Sequence, residues 1–509
     1  MVPHKGNAST GVRPDRYRAA LAAAEAVPKH LFINNKFVGA KSGKRIPVVD
    51  PRTEKTILEI DEGCPEDVDA AVLAATEAFV KGPWPRTAAV ERGRMLDKLA
   101  DLVEQHAEEF ALLETLDTGK PFQAALMMDI PGFVAQMRHQ AGWADKLSGQ
   151  TFKHSMPVFA YTLREPYGVC GLIVPWNFPV ALLGMKLAPA LAAGNTVVVK
   201  PAEHTMLSTL RLAQLVVEAG FPPGVFNVVT GYGATVGAAL VKHPLVHKIG
   251  FTGSTAVGKL ILAEAAGTMK SASLECGGKN PLIICADANI DEAVGVLQFA
   301  AFTNAGQFCT SASRLYVHAD IYDAFMAKAI KHTQARKVGD PFEDDTEQGA
   351  ITFRGQFDKV MDLIQSGQEQ GATLLTGGKS IGDQGLFIEP TLFGDVKDDM
   401  RIATEEIFGP VLCCMKWHNV DEVIARANAT RYGLVAGVFT NDINLAHTIS
   451  RSLQAGTVWI NNCWHCLSPS VPFGSYKESG TGVEGGQQGI EAYTKCKVVM
   501  TPLTASPWL

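Results

Sequence analysis

From Gly171 onward the chain alternates short apolar runs with helical stretches, and this alternation restricts the fold more than any other feature. Gly171-Leu172-Ile173-Val174, Thr196-Val197-Val198-Val199, Phe226 to Val229 and Val246 to Phe251 read as strands. Between them, Pro179 to Ala193 reads as a helix ended by Gly194. Thr205 to Ala219 reads as another, ended by Gly220 and followed by Pro222-Pro223. Short apolar strands separated by helices imply a parallel sheet covered on both faces. A second block of this kind runs from Pro281 to Ile460. Its strands are expected at Leu282 to Ile284, Leu315 to Val317, Val411 to Cys413, Val435 to Phe439 and Thr457 to Ile460. The fold class is therefore α/β, a Rossmann-like block followed by a second α/β block. Ligands on such sheets bind beyond the carboxyl ends of the strands, where Asn177, Lys200 and Gly253 all fall.

At 509 residues the chain is too long for one core, and two or three domains are expected. Hydrophobic residues make up 47% and charged residues 19%, an ordinary soluble balance. A net charge of −6 leaves no basic excess to neutralise phosphates, so nucleic acid is not expected as a partner. Cys170, Cys285 and the adjacent Cys413-Cys414 read as buried thiols in a reducing compartment rather than a disulfide framework. The longest apolar candidate for a membrane span, Val169 to Met185, is broken by Pro175, Asn177 and Pro179. The first residues lack an apolar signal core, Asp15 and Glu25 weaken a transit-peptide reading, and Ser506-Pro507-Trp508-Leu509 is not a peroxisomal address. The expectation is a cytoplasmic protein without membrane contact.

Ahead of the sheet, Pro14 to Ala26 reads as a helix and Asn34 to Ile60 as short strands with turns at Gly39, Ser42-Gly43 and Asp50-Pro51. Helices are expected over Pro65 to Val80 and over Thr87 to Leu116, the second stopped by Gly119. Gln150 to Arg164 alternates, with Phe159, Tyr161 and Leu163 on one face. Such an arm must join a sheet, supplied either by another subunit or by a C-terminal strand near Lys497 to Met500.

The chemistry centres on Asn304-Ala305-Gly306-Gln307-Phe308-Cys309-Thr310-Ser311, where a thiol follows a small, flexible Gly-Gln turn. Leu274-Glu275-Cys276-Gly277-Gly278 sets a carboxylate at the end of an apolar run. A thiol nucleophile and a separate carboxylate base are the parts needed to make and then hydrolyse a thioester. In Pro175-Trp176-Asn177-Phe178-Pro179 an amide donor between bulky residues suits a developing oxyanion, with a helix N-cap as the competing reading. Gly253-Ser254-Thr255-Ala256-Val257-Gly258-Lys259 fits most of a P-loop, but Leu260 stands where a magnesium-binding hydroxyl is needed. Gly231 to Gly237 misses the dinucleotide fingerprint by one residue. Together these two turns point to a pyrophosphate at a helix N-terminus, against glycines serving only tight turns. Glu203, just past a strand end, suits ribose hydroxyls and repels a 2′-phosphate, favouring NAD over NADP; a solvated surface Glu is the plainer reading. Cys463-Trp464-His465-Cys466 has the spacing of half a zinc site without a second half, so pocket lining is favoured and no metal is expected.

Seven ordered motifs make the chain resemble the aldehyde dehydrogenase superfamily. They are Pro175 to Pro179, Lys200-Pro201-Ala202-Glu203, Phe251 to Thr255, Leu274 to Lys279, Gly306 to Cys309, Glu405 to Pro410 and Pro472-Phe473-Gly474. The resemblance implies Cys309 as nucleophile, Glu275 as general base, and Asn177 with the Cys309 backbone N–H as oxyanion hole. It implies NAD held by Ile173, Val174, Pro175, Trp176, Lys200, Glu203, Gly233, Phe251, Gly253, Ser254 and Val257, with Gln356, Lys359, Glu406 and Phe408 placing the nicotinamide half. An aldehyde tunnel is implied along Gly132, Phe178, Ala181, Met185, Thr303, Trp464, His465, Leu467 and Phe473. Gly132, Ala181 and Thr303 are small there, so a bulky or aromatic aldehyde is expected. The implied domains are an NAD-binding one (1–147 and 167–277), a catalytic one (278–480) and a small β oligomerisation flap (148–166 and 481–509), assembled as a homodimer or homotetramer. Cys276, Ser475 and Val483 depart from the usual residues without expected loss of catalysis. The thiol is expected to lie below the free value of about 8.5 or to drop when cofactor binds. Retained Glu275 favours water over coenzyme A as acyl acceptor. An NADP-preferring or CoA-acylating relative is the nearest alternative, and a thiol hydrolase the one from a different class.

Overall fold

In the computed structural model the structure describes residues 14–153, 158–462 and 468–503. The described residues begin with helix α1 (Pro14–Ala26) and strands β1 (Leu31–Ile33), β2 (Lys36–Val38), β3 (Arg45–Asp50) and β4 (Lys55–Asp61). Helix α2 (Pro65–Val80) follows as expected. The stretch expected as one helix from Thr87 to Leu116 is instead two, α3 (Ala89–Gln105) and α4 (Ala107–Thr118), broken at His106 with φ −101° and ψ 22°. Gly119 ends α4 at φ 77°, a left-handed cap open to glycine at no Cβ cost. Helix α5 (Ile130–Trp143) then leads to β5 (Thr151–Phe152) and β6 (Val158–Pro166).

The first sheet is built from β7 (Val169–Ile173), β8 (Thr196–Lys200), β9 (Phe226–Val228), β10 (Lys248–Thr252) and β11 (Ser271–Glu275). Its order is β11-β10-β7-β8-β9-β1-β2, parallel from β11 through β9, with β1 and β2 antiparallel at the edge. The helices between are α6 (Pro179–Ala192), α7 (Leu207–Glu218) and α8 (Thr255–Ala266). Alternation along the strands sorts the core into two layers. Leu172, Val197 and Val199 pack with Leu183, Leu187 and Leu210, while Ile173, Val198 and Phe251 pack with Val68 and Val72 of α2. Each such side chain buried in full contributes roughly 1.5–3 kcal/mol, so both faces must stay covered.

The second sheet contains β12 (Pro281–Ile284), β13 (Arg314–His318), β14 (Thr373–Thr376), β15 (Thr391–Gly394), β16 (Val411–Trp417), β17 (Val435–Phe439) and β18 (Thr457–Ile460). Its order is β14-β15-β16-β13-β12-β17-β18, parallel except for β14. β14 and β15 were absent from the sequence expectation. Helices α9 (Ile290–Phe302) and α10 (Arg354–Glu369) cover opposite faces, Leu297 packing on the face of Leu282 and Ile284, and Val360 on that of Ile283. Cys413 and Cys414 are buried on opposite faces of β16.

The alternating arm pairs with β19 (Thr494–Pro502) across nine residues, Lys497 facing Leu163 and Met500 facing Ala160, with β5 on its other edge. The C-terminal partner expected from sequence is therefore the one used within the chain. Among the described residues no helix is long and apolar enough to cross a membrane.

Candidate active site

Cys309 lies just after a turn that the fold pins in place. Asn304, Ala305 and Gly306 have φ of 51°, 55° and 70°, so two non-glycine residues sit in the left-handed region. Side chains hold them there. The Asn304 amide donates to the Asn177 carbonyl (3.0 Å), and the Gln307 amide donates to the Asn304 carbonyl (3.1 Å). Gln307 Oε1 in turn accepts from the Thr352 N–H at 3.0 Å. At Gly306 an added Cβ would overlap the Gly409 carbonyl oxygen. The turn expected to be flexible is thus fixed by residues far away in sequence. From the other side, Asn280 Nδ2 donates to the carbonyls of Cys309 (2.9 Å) and Ser311 (2.8 Å).

Two cavities meet at this thiol. One, of about 130 Å³, is lined by Pro175, Trp176, Thr252, Gly253, Ser254, Cys276, Gly277, Gln356, Lys359, Glu406 and Phe408, together with Asn177 and Cys309. The other, of about 210 Å³, lies between α5 and α6 and is lined by Gly132, Phe178, Ala181 and Met185, again with Asn177 and Cys309. Asn177 Nδ2 donates to the Gln307 carbonyl at 3.0 Å, which leaves a second N–H on the same nitrogen. The N-cap of α6 is Phe178, so the capping role considered for Asn177 is not the one it takes. Behind it, the buried Lys120 ammonium pairs with Asp129, donates to the Asn177 carbonyl at 2.9 Å and stands 4.0 Å from the Phe178 ring centroid.

Glu275 ends β11, 4% exposed, and neither carboxylate oxygen has a hydrogen-bond partner among the described residues. Burial holds this carboxyl well above the ordinary carboxylate range. The nearby Glu484 carboxylate adds to the rise and the Lys186 ammonium opposes it. Lys186 and Glu484 form a buried ion pair with each other. Burial also pushes the Cys309 thiol up to about 12, with the carboxylates of Glu406 and Glu275 adding to the rise, while the N–H groups of Thr310 and Cys309 oppose it. In this state the thiol therefore lies above, not below, the free value. Glu406 accepts from the Gly278 N–H at 2.9 Å, and a Cβ on Gly277 would collide with its carboxylate.

The remaining predicted cofactor residues sit along one sheet edge. Ile173, Val174, Lys200, Glu203 and Phe251 lie at or just beyond the carboxyl ends of β7, β8 and β10, and Gly233 opens the helical turn after β9. None of these lines the 130 Å³ cavity itself. Lys200 pairs with Glu203 at 2.8 Å. Burial acts to raise Glu203, but the Lys200 charge and hydrogen bond outweigh it and hold the carboxyl below its ordinary value. Ser254 caps α8 by accepting from the Val257 N–H (3.3 Å), Val257 itself being exposed. The buried Thr252 hydroxyl, without a partner among the described residues, lines the cavity beside them. Gln356 donates to the carbonyls of Ile407 (3.0 Å) and Phe408 (2.9 Å).

Phe473 lines an outer chamber together with Met185. Thr303 is not a lining residue of the tunnel; its hydroxyl turns back to the Phe299 carbonyl at 2.7 Å. Trp464, His465 and Leu467, and the Cys463/Cys466 pair, lie outside the described residues. Sequence reasoning missed Lys120, Lys186, Asn280 and Glu484. For Lys186 a signal existed, a lone charge inside the apolar run Met185-Lys186-Leu187-Ala188.

Such a site, with a thiol and a buried carboxyl beyond the strand ends of a Rossmann-like sheet, defines a class of oxidoreductases that work through a covalent acyl intermediate. The chain belongs to the aldehyde dehydrogenase family, whose sequence model matches residues 37–499. It is 49% identical over 509 residues to retinaldehyde dehydrogenase 3 of Homo sapiens, covering 99% of each chain. It is 48% identical over 504 residues to the mitochondrial benzaldehyde dehydrogenase of Antirrhinum majus, covering 97% of this chain and 94% of that one. A structure of a Bacillus cereus aldehyde dehydrogenase in complex with NAD+ superposes with TM-score 0.94 at 43% identity, covering 97% of this chain and 99% of that one.

Proposed function

We propose that this chain oxidises an aldehyde to its carboxylic acid with NAD+ as cofactor, through a thioester on Cys309. The observation that carries the reading is that Cys309 and Asn177 line both cavities, so cofactor and aldehyde reach one sulfur from two sides. The donor set fits NAD+. Lys200 and Glu203 would hold a ribose, the N-terminal turn of α8 with the unpartnered Thr252 hydroxyl would hold phosphates, and Gln356, Lys359, Glu406 and Phe408 would hold the nicotinamide end.

Bound there, NAD+ accepts the two electrons of the oxidation. Cys309 Sγ loses its proton to solvent and attacks the aldehyde carbon as the thiolate. The oxygen becomes an oxyanion, held by Asn177 Nδ2 and the Cys309 N–H. The adduct loses its C–H hydrogen as hydride and collapses to a thioester. Glu275 then takes a proton from water, the hydroxide attacks the acyl carbon, and the acid leaves as Cys309 is regenerated. In this reading, 1–147 and 167–277 form the NAD-binding domain, 278–480 the catalytic domain, and 148–166 with 481–509 the oligomerisation segment of a homodimer or homotetramer. The free cysteines among the described residues support a reducing compartment, and we place the protein in the cytoplasm.

The test is absorbance at roughly 340 nm on mixing with a panel of aldehydes under NAD+ or NADP+. NAD+ is expected to be preferred, and Glu203→Gln to narrow the preference by relieving repulsion of a 2′-phosphate. Ester cleavage without any reduced cofactor would overturn the reading.

A further inference from the structure

Asn177 is held from several sides. Its carbonyl oxygen accepts from the Lys120 ammonium (2.9 Å) and from the Asn304 amide (3.0 Å), which fills both of its lone pairs. Its own Nδ2 donates to the Gln307 carbonyl at 3.0 Å, and the N–H left on that nitrogen is the one available to an oxyanion. Asn304 and Gln307 belong to the turn that precedes Cys309. These bonds fix the oxyanion donor relative to the nucleophile. Among the groups that make them, Lys120 is the charged donor, and charge-assisted bonds are the strong ones.

Lys120 reaches this point from a fixed base. It follows α4, whose end is tied to the second block. The Thr352 hydroxyl donates to the Thr118 carbonyl (2.9 Å), and the Ala350 N–H donates to the Gly119 carbonyl (3.1 Å). The Thr352 N–H is also the donor to Gln307. The contacts thus close a ring through Lys120, Asn177, Gln307, Thr352 and Thr118. An ammonium has three N–H groups, and that of Lys120 has three partners: the Asp129 carboxylate, the Asn177 carbonyl and the face of the Phe178 ring. Lys120 lines neither of the two cavities at Cys309.

Packing alone does not call for a charge here, since apolar side chains of similar volume often replace a buried ion pair without loss of stability. The charge is nevertheless supported from behind. Glu114 is fully buried, and burial together with the Asp129 charge holds its carboxyl well above the ordinary range, so it keeps its proton and supplies a donor to Asp129. Burial raises Asp129 as well, but the Lys120 charge and hydrogen bond oppose that rise.

We propose that Lys120, paired with Asp129, is a positioning residue for the oxyanion hole, its ammonium holding the Asn177 main chain so that the free N–H of Nδ2 points at the oxygen of the reacting aldehyde. It acts through Asn177 and touches neither aldehyde nor cofactor. This rests on the oxyanion role given to Asn177 above and deepens it.

The test reads the stopped-flow burst of reduced cofactor at saturating NAD+ with benzaldehyde, or with propanal where the wild type does not oxidise benzaldehyde. Lys120→Met and the paired variant Lys120→Met/Asp129→Asn are each made in the wild type and in Asn177→Ala. The single change leaves Asp129 buried and unpaired, so Tm falls, whereas the paired change removes both charges and recovers Tm. Both are expected to slow the wild-type burst about 10- to 100-fold, as a displaced group does, with the aldehyde KM of Lys120→Met changed by less than about threefold. In Asn177→Ala, where no donor is left to position, the same changes slow the burst by less than about twofold. Should Lys120→Met not fold, the paired variant carries the comparison. A burst that recovers together with Tm in the paired variant shows that Lys120 serves folding alone and overturns the proposal. So does an equal loss in both backgrounds, or a wild-type burst in Lys120→Met; in each of these cases a slow Asn177→Ala leaves the oxyanion reading standing. An Asn177→Ala burst as fast as the wild type overturns both readings together.

Discussion

Cys309 as it stands is a poor nucleophile, and the reason is local. With burial pushing the thiol up to about 12, little of it is thiolate at neutral pH. A thiol raised by burial gains thiolate steadily as pH rises towards its folded value. Alkylation of Cys309 by iodoacetamide without cofactor is therefore expected to accelerate about tenfold per pH unit, with no plateau below about pH 9. A plateau near neutrality, followed by mass spectrometry of the labelled peptide, would contradict the burial effect. Glu275 has the same sign: its carboxyl is protonated further up the scale than a free glutamate, so deacylation should rise with pH as it ionises. Glu275→Gln should give a burst of reduced cofactor in stopped flow without sustained turnover, and full turnover would remove its role as base. Asn177→Ala should lower kcat by about 10²–10³, or ~3–4 kcal/mol, the usual loss for one oxyanion donor. Its Cys309 should still react with iodoacetamide, which separates a lost donor from a collapsed site.

The elements were legible in the sequence wherever one pattern decided them. The runs at Val197 to Val199 and Leu282 to Ile284 are short and apolar, and each became a buried parallel strand. Thr373–Thr376 and Thr391–Gly394 escaped because neither is a continuous apolar run. The break at His106 escaped because the apolar spacing continues through it, and no glycine or proline marks it. In the site, Cys309, Glu275 and Asn177 were legible as motifs. The pinning of the Cys309 turn was not, since it depends on Thr352, Asn177 and Gly409, which only the fold brings near. That turn carries its own prediction. Gly306→Ala places a Cβ in the left-handed region, at about 1–2 kcal/mol, and drives it into the Gly409 carbonyl. Thermal unfolding should show a lower Tm and assays a larger loss of activity. A variant of unchanged Tm and activity would show that the turn tolerates relaxation.

At the scale of the whole molecule, the flap of β5, β6 and β19 leaves apolar side chains in solvent on both faces: Phe159 and Leu163, 45 and 41% exposed, on one, and Val498 and Met500, 54 and 61% exposed, on the other. Apolar side chains exposed on a flap with an open strand edge favour association with another copy. Val498→Asp combined with Met500→Asp should shift the sedimentation coefficient towards a smaller species, whereas an unchanged coefficient would show that these side chains take no part in association. The two α/β blocks matter to function because their junction brings one sulfur to two cavities. Everything proposed for the reaction turns on that sulfur carrying the acyl group. The direct measurement is intact-peptide mass spectrometry of Glu275→Gln quenched during reaction with benzaldehyde and NAD+. The expected result is a benzoyl adduct on the peptide containing Cys309, absent in Cys309→Ala. Oxidation that proceeds with no adduct on that peptide, or that survives Cys309→Ala, would contradict it.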